Sequence, residues 1–549
     1  MRGSDLLLQS LLKYGVNRVF GILGREAEVL NFHHPELDFF LTRHEFTAGV
    51  AADAFARVSG RAQACFSTFG PGATNLATGV ASACLDRSPM LAMSAQIETD
   101  DALHNHVHQC LDQVEIMRSM CKYASELRDP RQIPAEVRKA LEAAYSELMG
   151  PSYLSLPVNV LGAEIPDAEG QALLGQAGAI HPKKAPQSDA ADLKAVHELL
   201  VKAERPVVIV GNSLHREDAV AEARAFVAKY QIPAVSSLAS KGIISDDDPC
   251  SLGAINRYLN GILKMPVIDE VFGKADVVVL LGFDICEDVK PAMWLTGRKK
   301  TIVRIGSTPN EASRLVKTDL DIVGSVKQAL QTLNRPENEV SRSNWAADIA
   351  RTIREAKRAT GGNGHQHYPT VPPPAIVREV RRALNGDGIL CSDIGLHKQY
   401  AGLISETTES NTFLCSNGLG SFGSGMALAI GAKLARPEKK VAAIVGDGGF
   451  HSNSQDLEFL ARYDLPIVIV MMKDSAYGLI KHYQVRGGQE HDKNLVDFLS
   501  VDFVKLAEAN GCRGVSVQSS KNLRREIERA FELSEPTLIE VPVQYEHQF

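Results

Sequence analysis

The stretch VAAIVGDGGF, residues 441–450, decides the class of fold. Its first five residues are small or branched and apolar, which is typical of a strand buried on both faces of a parallel sheet. The strand runs into an acid, Asp447, which stands between Gly446 and Gly448 and is followed by Gly449. Because ligands bind beyond the carboxyl ends of strands in open parallel sheets, this acid in a glycine turn predicts a ligand site.

Other short apolar runs alternate with helical patterns along the chain, which predicts an α/β fold built on parallel sheets. Two stretches are typical of linkers, HPKKAPQSDAADL (181–193) and GGNGHQHYPTVPPP (361–374). They indicate three domains, residues 1–180, 190–340 and 372–549, each with a central, mostly parallel sheet flanked by helices. The clearest apolar runs are RVFGIL, QACFSTFG, MLAMSAQ, PVVIVGN, ADVVVLLGF, KKTIVRIG, GILCSDIG, PIVIVMM and PTLIEVPV.

Composition excludes several classes of protein. The 549 residues are 44% hydrophobic and carry a net charge of -7 without a long basic patch, so a nucleic-acid partner is not expected. The apolar runs are too short to span a membrane, and the first residues lack a signal-peptide pattern. The nine cysteines form no CxxC pair, which favours reduced thiols. We therefore expect a cytoplasmic protein that has neither a nucleic-acid nor a membrane partner.

A second acid, Asp474, follows the run PIVIVMM and lies 27 residues after Asp447. A strand–helix–strand unit of that length places both acids at the same edge of a sheet. The N–H groups of a helix N-terminus bind phosphate oxygens, but a carboxylate among them repels phosphate unless a cation lies between. Mg²⁺ bridges carboxylates to phosphates in this way. The pair predicts a metal–diphosphate ligand, with capping or turn roles as the alternative.

The GDG turn, followed by an oxygen-bearing side chain ahead of YG, resembles the thiamine-diphosphate signature. The whole chain resembles the group of that family that contains acetolactate synthase and pyruvate decarboxylase. The resemblance implies bound thiamine diphosphate and Mg²⁺, with the metal held by Asp447, Asp474 and the carbonyl of Ala476. Where the family has Asn, this chain has Asp474, preceded by Lys473. The other residues of these turns that the resemblance assigns to the cofactor are Gly448, Gly449, Tyr477 and Gly478.

A glutamate in the first domain, Glu45, lies in the context TRHEFTAGVAADAFARVSG, and FGPGATN (69–75) follows it. The resemblance implies that Glu45 hydrogen-bonds the ring nitrogen of the cofactor's aminopyrimidine and thereby favours the imino form that removes the C2 proton. Considered alone, Glu45 is more typical of an acid at a helix N-terminus, and it is the matched context with Asp447 that favours the catalytic role.

The stretch GLGSFG (418–423) matches the dinucleotide fingerprint, but NTFLCSN before it is a poor strand and no ribose-binding acid follows. The resemblance implies instead that the carbonyl of Gly420 accepts from the cofactor's amino group and that Phe422 bends the cofactor. In SDIGLHKQY (392–400), it places Gly395, His397 and Lys398 beside the diphosphate or the substrate; a solvated lysine is the alternative.

The stretch HNHVHQC (104–110) holds three histidines, but a zinc site needs more regular spacing and partners. The resemblance implies instead that Gln109 lies in the active site with His108 beside it.

Within the family, the chain most resembles the carboxyethylarginine synthases. The shared stretches are GREA, LTRHEFTAGVAAD, LDRSP, HQCLD, NGIL and GDGGFHSNS. This resemblance implies that glyceraldehyde 3-phosphate is activated to an acryloyl adduct, which an amino acid such as L-arginine attacks. The chain departs from that group at Lys398 and Gln399, where an Arg–His pair is usual, and lysine lacks the planar fork with which arginine binds phosphate.

Two other functions stay open. KDSAYGLIK and GLHKQY resemble acetolactate synthases, which implies carboligation or decarboxylation of pyruvate or another 2-oxo acid. A regulatory homologue without turnover is the third possibility, although Glu45 argues against it. The family implies a homodimer or homotetramer with sites at the interface. FAD is not expected, because LGAINRYLN (252–260) lacks a glycine-rich turn.

Overall fold

The structure is a computed structural model that describes residues 1–102, 108–255, 267–284, 289–310, 315–359, 370–488 and 490–545. Its strands form three sheets of six strands each, and neighbouring strands pair in parallel throughout the described residues. Helices flank each sheet, so the predicted α/β architecture of three domains is confirmed. The predicted domain boundaries themselves stay predictions.

The first sheet has the strand order β2-β1-β3-β4-β6-β5. Its central strands are wholly buried because helices cover both faces, and the predicted run MLAMSAQ forms β4 over its full length. The strands of this sheet are β1 Arg18–Gly21, β2 Asp38–Leu41, β3 Ala64–Ser67, β4 Met90–Gln96, β5 Tyr123–Glu126 and β6 Pro151–Pro157. The accompanying helices are Gly3–Lys13, Glu45–Ser59, Pro71–Leu85, Thr99–Ala102, Gln113–Arg118, Ile133–Tyr145, Val158–Gly162 and Asp167–Gln176, with 3-10 turns at Arg25–Glu28 and Pro130–Gln132.

The second sheet has the order β12-β11-β10-β7-β8-β9, and its core strands are runs of valine, isoleucine and leucine. Its strands are β7 Pro206–Val210, β8 Ala234–Ser236, β9 Ser251–Ala254, β10 Val277–Leu281, β11 Thr301–Gly306 and β12 Leu320–Val323. The helices of this region are Ala190–Lys202, Ser213–Arg216, Val220–Tyr230, Pro291–Trp294, Val326–Leu333 and Ala347–Ala359, with a π-helical turn at Val267–Phe272.

The third sheet has the order β14-β13-β15-β16-β18-β17. Its strands are β13 Ile389–Ser392, β14 Phe413–Cys415, β15 Val441–Gly446, β16 Ile467–Lys473, β17 Arg513–Ser516 and β18 Thr537–Pro542. The following helices belong to this part of the chain: Pro373–Ala383, Leu396–Ile404, Ser424–Ala435, Asp447–His451, Leu457–Arg462, Gly478–Arg486, Lys493–Val496, Phe503–Ala509 and Ser520–Leu533, with a 3-10 turn at Ser454–Asp456.

One prediction about this sheet is wrong. NTFLCSN was expected to be a poor strand, but its central residues form β14, which pairs with β13 at the edge of the sheet. The strand has only three residues, so its local pattern is too short to stand out, and pairing with a neighbour decides its conformation.

The chain forms two compact units. The first comprises residues 1–183, 419–438 and 453–465, and the second comprises 184–418, 439–452 and 466–549. The helix Ser424–Ala435 therefore belongs to the first unit, where it packs on the helix Glu45–Ser59. Among the described residues, no helix has both the length and the apolar character needed to cross a membrane.

Candidate active site

Asp447 lies at the carboxyl end of β15 and is the first residue of the short helix Asp447–His451. It is only 1% exposed. Its Oδ2 accepts a hydrogen bond of 2.7 Å from the backbone N–H of Ser475, and its Oδ1 accepts one of 3.0 Å from Gly448. The first of these bonds ties Asp447 to the turn that follows β16.

Asp474 follows the strand adjacent to that of Asp447, since β15 and β16 pair in parallel and Gly446 is opposite Met472. A Cβ on Gly478 would lie 2.7 Å from Asp474 Oδ2, so the first residue of the helix Gly478–Arg486 passes close to this carboxylate. The expectation that the two acids lie at one edge of the sheet is confirmed.

The surroundings of the two carboxylates disfavour their ionised forms. Burial raises the pKa of Asp447 to about 6. Burial, and then the charge of Asp447, raise the pKa of Asp474 to about 7. A divalent cation would relieve both effects, and carboxylate oxygens are ligands that Mg²⁺ prefers. The described residues contain no cluster of three or more His, Cys, Asp or Glu side chains suited to a metal, so a cation here would complete its coordination with backbone, water or phosphate oxygens.

Glycine at 448 is required by a protein contact. A Cβ there would lie 2.9 Å from Cε1 of the Tyr477 ring, and Tyr477 N donates to Val496 O at 2.9 Å. Gly449 is buried in the same short helix. The sequence suggested that these glycines admit a ligand; at Gly448, the structure shows instead that the missing side chain makes room for Tyr477. Ala476 is also buried, within the same turn.

His397 and Lys398 lie in the first turn of the helix Leu396–Ile404, and both are buried. The His397 ring packs beside Gly395 and Gly446. Burial lowers the pKa of His397 to about 3, so the ring is neutral, and within the described chain its Nε2 has no hydrogen-bond partner. Lys398 Nζ donates to Ser416 O at 3.2 Å. Lys398 is thus not the solvated lysine that was the alternative.

In the first unit, Glu45 is the first residue of the helix Glu45–Ser59 and is 7% exposed. Its Oε2 accepts a hydrogen bond of 3.0 Å from Asn75 Nδ2, and its Oε1 faces Gly72. The sequence alone does not distinguish Asn75, although it closes the FGPGATN stretch. Only the contact between two helix N-termini gives this asparagine a role.

Gln109 lies in the same unit with a backbone φ of 63°, and its Cβ is packed against Gly70. Gly70 immediately precedes the helix Pro71–Leu85, which carries Asn75. Gln109 is half-buried, whereas His108 is exposed. The remaining histidines of this stretch, His104 and His106, lie outside the described residues, as does NGIL (260–263).

Gly420 and Phe422 belong to the loop that leads into the helix Ser424–Ala435. Gly420 has a φ of 70°, and a Cβ on it would meet no described atom within 4 Å. The Phe422 side chain is 50% exposed, which is unusual for an aromatic residue beside a packed helix. Packing of this helix on Glu45–Ser59 keeps the loop in the same unit as Glu45.

The predicted site residues therefore form two sets. Asp447, Asp474 and their glycine and tyrosine neighbours, with His397, lie together in the second unit. The second set consists of Glu45, Gln109, His108, Gly420 and Phe422 in the first unit. The carboxylate oxygens of the first set suit a cation that also binds phosphate oxygens. In the second set, a buried carboxylate next to an amide suits hydrogen bonding to a neutral ring.

Comparison with known protein families gives three matches, which between them account for most of the chain. Residues 1–116 match the thiamine pyrophosphate enzyme N-terminal TPP binding domain. Residues 193–333 match the central domain of the thiamine pyrophosphate enzymes, and residues 393–541 match the C-terminal TPP binding domain. Thiamine pyrophosphate is the same compound as thiamine diphosphate.

Individual relatives are similar over nearly their whole length. The probable acetolactate synthase large subunit of Methanocaldococcus jannaschii is 29% identical over 99% of this chain and 92% of that protein. The acetolactate synthase of Bacillus subtilis is 29% identical over 99% of this chain and 93% of its own. The large subunit from Lactococcus lactis is 29% identical over 98% and 92%. This chain is a member of the thiamine pyrophosphate enzyme family.

Proposed function

We propose that this enzyme is an acetolactate synthase-like carboligase that acts on pyruvate or another 2-oxo acid. The observation that carries the proposal is the near full-length similarity to proteins named acetolactate synthase. It supports this alternative better than the carboxyethylarginine synthase reaction, which stays a prediction from short shared stretches. KDSAYGLIK and GLHKQY point in the same direction.

In this proposal, Asp447, Asp474 and the carbonyl of Ala476 would hold Mg²⁺, whose charge would favour binding of a diphosphate. When bound, thiamine diphosphate supplies the carbon nucleophile of the reaction. The protein contributes binding and orientation. Tyr477 and Gly478 shape the metal turn, since the Tyr477 ring packs on Gly448 and Gly478 borders the Asp474 carboxylate.

Glu45 is proposed to hydrogen-bond the cofactor's pyrimidine nitrogen. Asn75 Nδ2 occupies one carboxylate oxygen, which fixes the orientation of the group and leaves the other oxygen for the ring. Gly420 and Phe422 are proposed to contact the pyrimidine and the cofactor's bend, respectively. Gln109 and His108 are proposed to face the substrate.

The departure at Lys473 has a structural explanation. Lys473 Nζ donates to Glu540 at 2.8 Å and to Val501 O at 2.6 Å. Its charge is therefore paired with Glu540, and Lys473 does not replace the metal as the partner of Asp474. The lysine and the acid that follow β16 have separate roles.

A screen of product mass tests the reaction. The purified enzyme with Mg²⁺ and thiamine diphosphate is given pyruvate, and separately glyceraldehyde 3-phosphate with and without L-arginine. We expect carbon dioxide release and a five-carbon acetolactate product from pyruvate. The Asp447→Ala variant serves as the inactive control. A product that forms only from glyceraldehyde 3-phosphate and arginine would instead support the carboxyethylarginine reaction.

The affinity for Mg²⁺ is expected to rise with pH. Protons compete with the metal for Asp447 and Asp474, whose pKa values are raised to about 6 and about 7. In the presence of thiamine diphosphate, affinity should therefore increase from about pH 5 to about pH 8 and then level off. Isothermal titration at a series of pH values measures this.

Asp474→Asn is the informative variant, because an amide oxygen is retained and no proton is bound. We expect it to retain metal binding, with a smaller pH dependence, whereas Asp474→Ala should bind weakly at every pH. Asp502→Asn, at an exposed acid paired with Lys505, is the matched control. An Asp474→Asn profile as steep as that of the wild type would contradict the assignment of Asp474 as a ligand.

We also propose a homo-oligomer, dimer or tetramer, with sites at its interfaces. Large apolar side chains on the segment 477–499 are exposed, up to 91% at Leu499. Exposed apolar groups that cluster in this way mark interaction surfaces. The exposed members of this segment are Tyr477, Ile480, Tyr483, Val485, Leu495 and Leu499.

A further inference from the structure

A cationic cavity of about 430 Å³ lies in the second compact unit and shares no lining residue with the cleft around Asp474. Two helices, Ala347–Ala359 and Pro373–Ala383, line it with basic side chains. Among its lining residues, Glu406 is the one acid. The cations that line it are Lys357, Arg358, Arg378, Arg381 and Arg382.

Carboxylates pair with three of the five cations, and two of these three, Arg358 and Arg382, are exposed. Arg358 Nε lies 3.0 Å from Glu406 Oε1, and its Nη2 lies 3.4 Å from Asp247 Oδ1. Arg382 Nη1 lies 2.8 Å from Glu379 Oε1. These pairs are partly exposed, so solvent screens them, and they are an ordinary surface arrangement.

Lys357 shares its carboxylate with a second lysine. Its Nζ lies 3.5 Å from Asp246 Oδ1, while Lys241 Nζ lies 3.2 Å from Asp246 Oδ2. All three side chains are buried. One acid between two buried ammonium groups leaves an excess of positive charge at this end of the cavity.

Arg378 and Arg381 retain unmatched donors. Arg381 is 7% exposed. Its Nη1 donates to Gly388 O at 2.8 Å and its Nη2 donates to Gly386 O, so these two groups cap the turn that follows its helix. Within the described chain, the Nε of Arg381 has no hydrogen-bond partner. The Nη1 of Arg378 donates to Arg358 O at 3.1 Å, but its buried Nε and Nη2 have no partner among the described residues. Buried charged donors without an acceptor are costly.

We propose that this cavity is a binding site for a phosphate-bearing small molecule. A phosphate group supplies several acceptor oxygens and the negative charge that the cavity lacks, and the planar guanidinium of Arg378 matches its geometry. The volume is that of a small-ligand pocket, and five cationic side chains against one acid favour an anionic occupant. None of its lining residues is among those proposed to hold the cofactor or the substrate.

Isothermal titration of the full-length enzyme tests this, with Mg²⁺ and thiamine diphosphate saturating so that the cofactor's own phosphate site is filled. Inorganic phosphate and glucose 6-phosphate are titrated separately at constant ionic strength. We expect saturable binding of one molecule per chain. Tighter binding of the ester would identify a phosphorylated metabolite as the occupant, and tighter binding of inorganic phosphate would identify the free ion.

Arg378→Gln should weaken binding by at least about tenfold, because it removes a charged donor pair. Arg382→Gln is the second test, since its side chain is 60% exposed and its replacement leaves the fold intact. Arg351 lies on one of the same helices but does not line the cavity. The Arg351→Gln variant is therefore the control, and it should bind the phosphate compounds as the wild type does. The proposal would be overturned if no saturable binding were found. It would also be overturned if both variants, Arg378→Gln and Arg382→Gln, bound with the affinity of the wild type.

Discussion

Asp447→Ala is expected to abolish Mg²⁺-dependent binding of thiamine diphosphate. Residues that only hydrogen-bond a metal ligand typically contribute about 10- to 100-fold to the affinity for the metal. Removal of a proposed direct ligand should therefore lower that affinity by more than about 100-fold. Titration of the cofactor in the presence and absence of Mg²⁺ measures the effect. Even with Mg²⁺ present, the variant should bind the cofactor only as weakly as the wild type binds it in the absence of Mg²⁺.

Folding and binding can be separated in this variant. Removal of the carboxylate leaves the Ser475 N–H without its 2.7 Å acceptor, which costs about 1–3 kcal/mol of folding free energy. It also removes a buried acid whose pKa is raised to about 6, which offsets part of that cost near neutral pH. We therefore expect a folded variant by circular dichroism, with a modest change in Tm. Cofactor binding that still responds to Mg²⁺ would show that Asp447 is not a ligand.

Glu45→Gln is expected to reduce turnover by about 10²- to 10⁴-fold, the usual range for a group that assists proton transfer. Cofactor affinity should be nearly unchanged, because the proposed diphosphate site lies on other residues. The amide oxygen of Gln can still accept from Asn75 Nδ2, so the local fold should be retained. Steady-state rates and deuterium exchange at C2 of the bound cofactor measure the effect.

The matched control for this variant is Glu115→Gln, at an exposed glutamate of the same unit that is paired with Arg118. It should leave rate, exchange and binding unchanged. If Glu45→Gln exchanges the C2 proton at a nearly normal rate, Glu45 has no part in the mechanism and serves only as the first acid of its helix.

The placement of Asp447 and Asp474 could be predicted from sequence because it depends on local patterns. Two apolar runs of strand length, joined by one helical segment, form neighbouring parallel strands, and residues that follow them meet at the same edge. The strands β15 and β16 have this arrangement. Glu45 could be placed at a helix N-terminus for a similar reason.

The structure alone revealed contacts between residues distant along the chain. Gly448 is a glycine because the Tyr477 ring packs on it, and Lys398 is buried against Ser416 O. Nothing in the residues adjacent to these positions encodes such partners. The three-residue strand β14 was missed for the same reason, since its pairing with β13 decides its conformation.

The sequence by itself determined the three α/β sheets and the acids at the ends of their strands, because hydrophobic periodicity and glycine turns are written locally. Only the tertiary structure decided that Asn75 orients Glu45 and that burial, and then the charge of Asp447, raise the pKa of Asp474. It also brought the arginines of two helices to one cavity. These features depend on burial and on distances between separate elements, which exist only after the chain has packed.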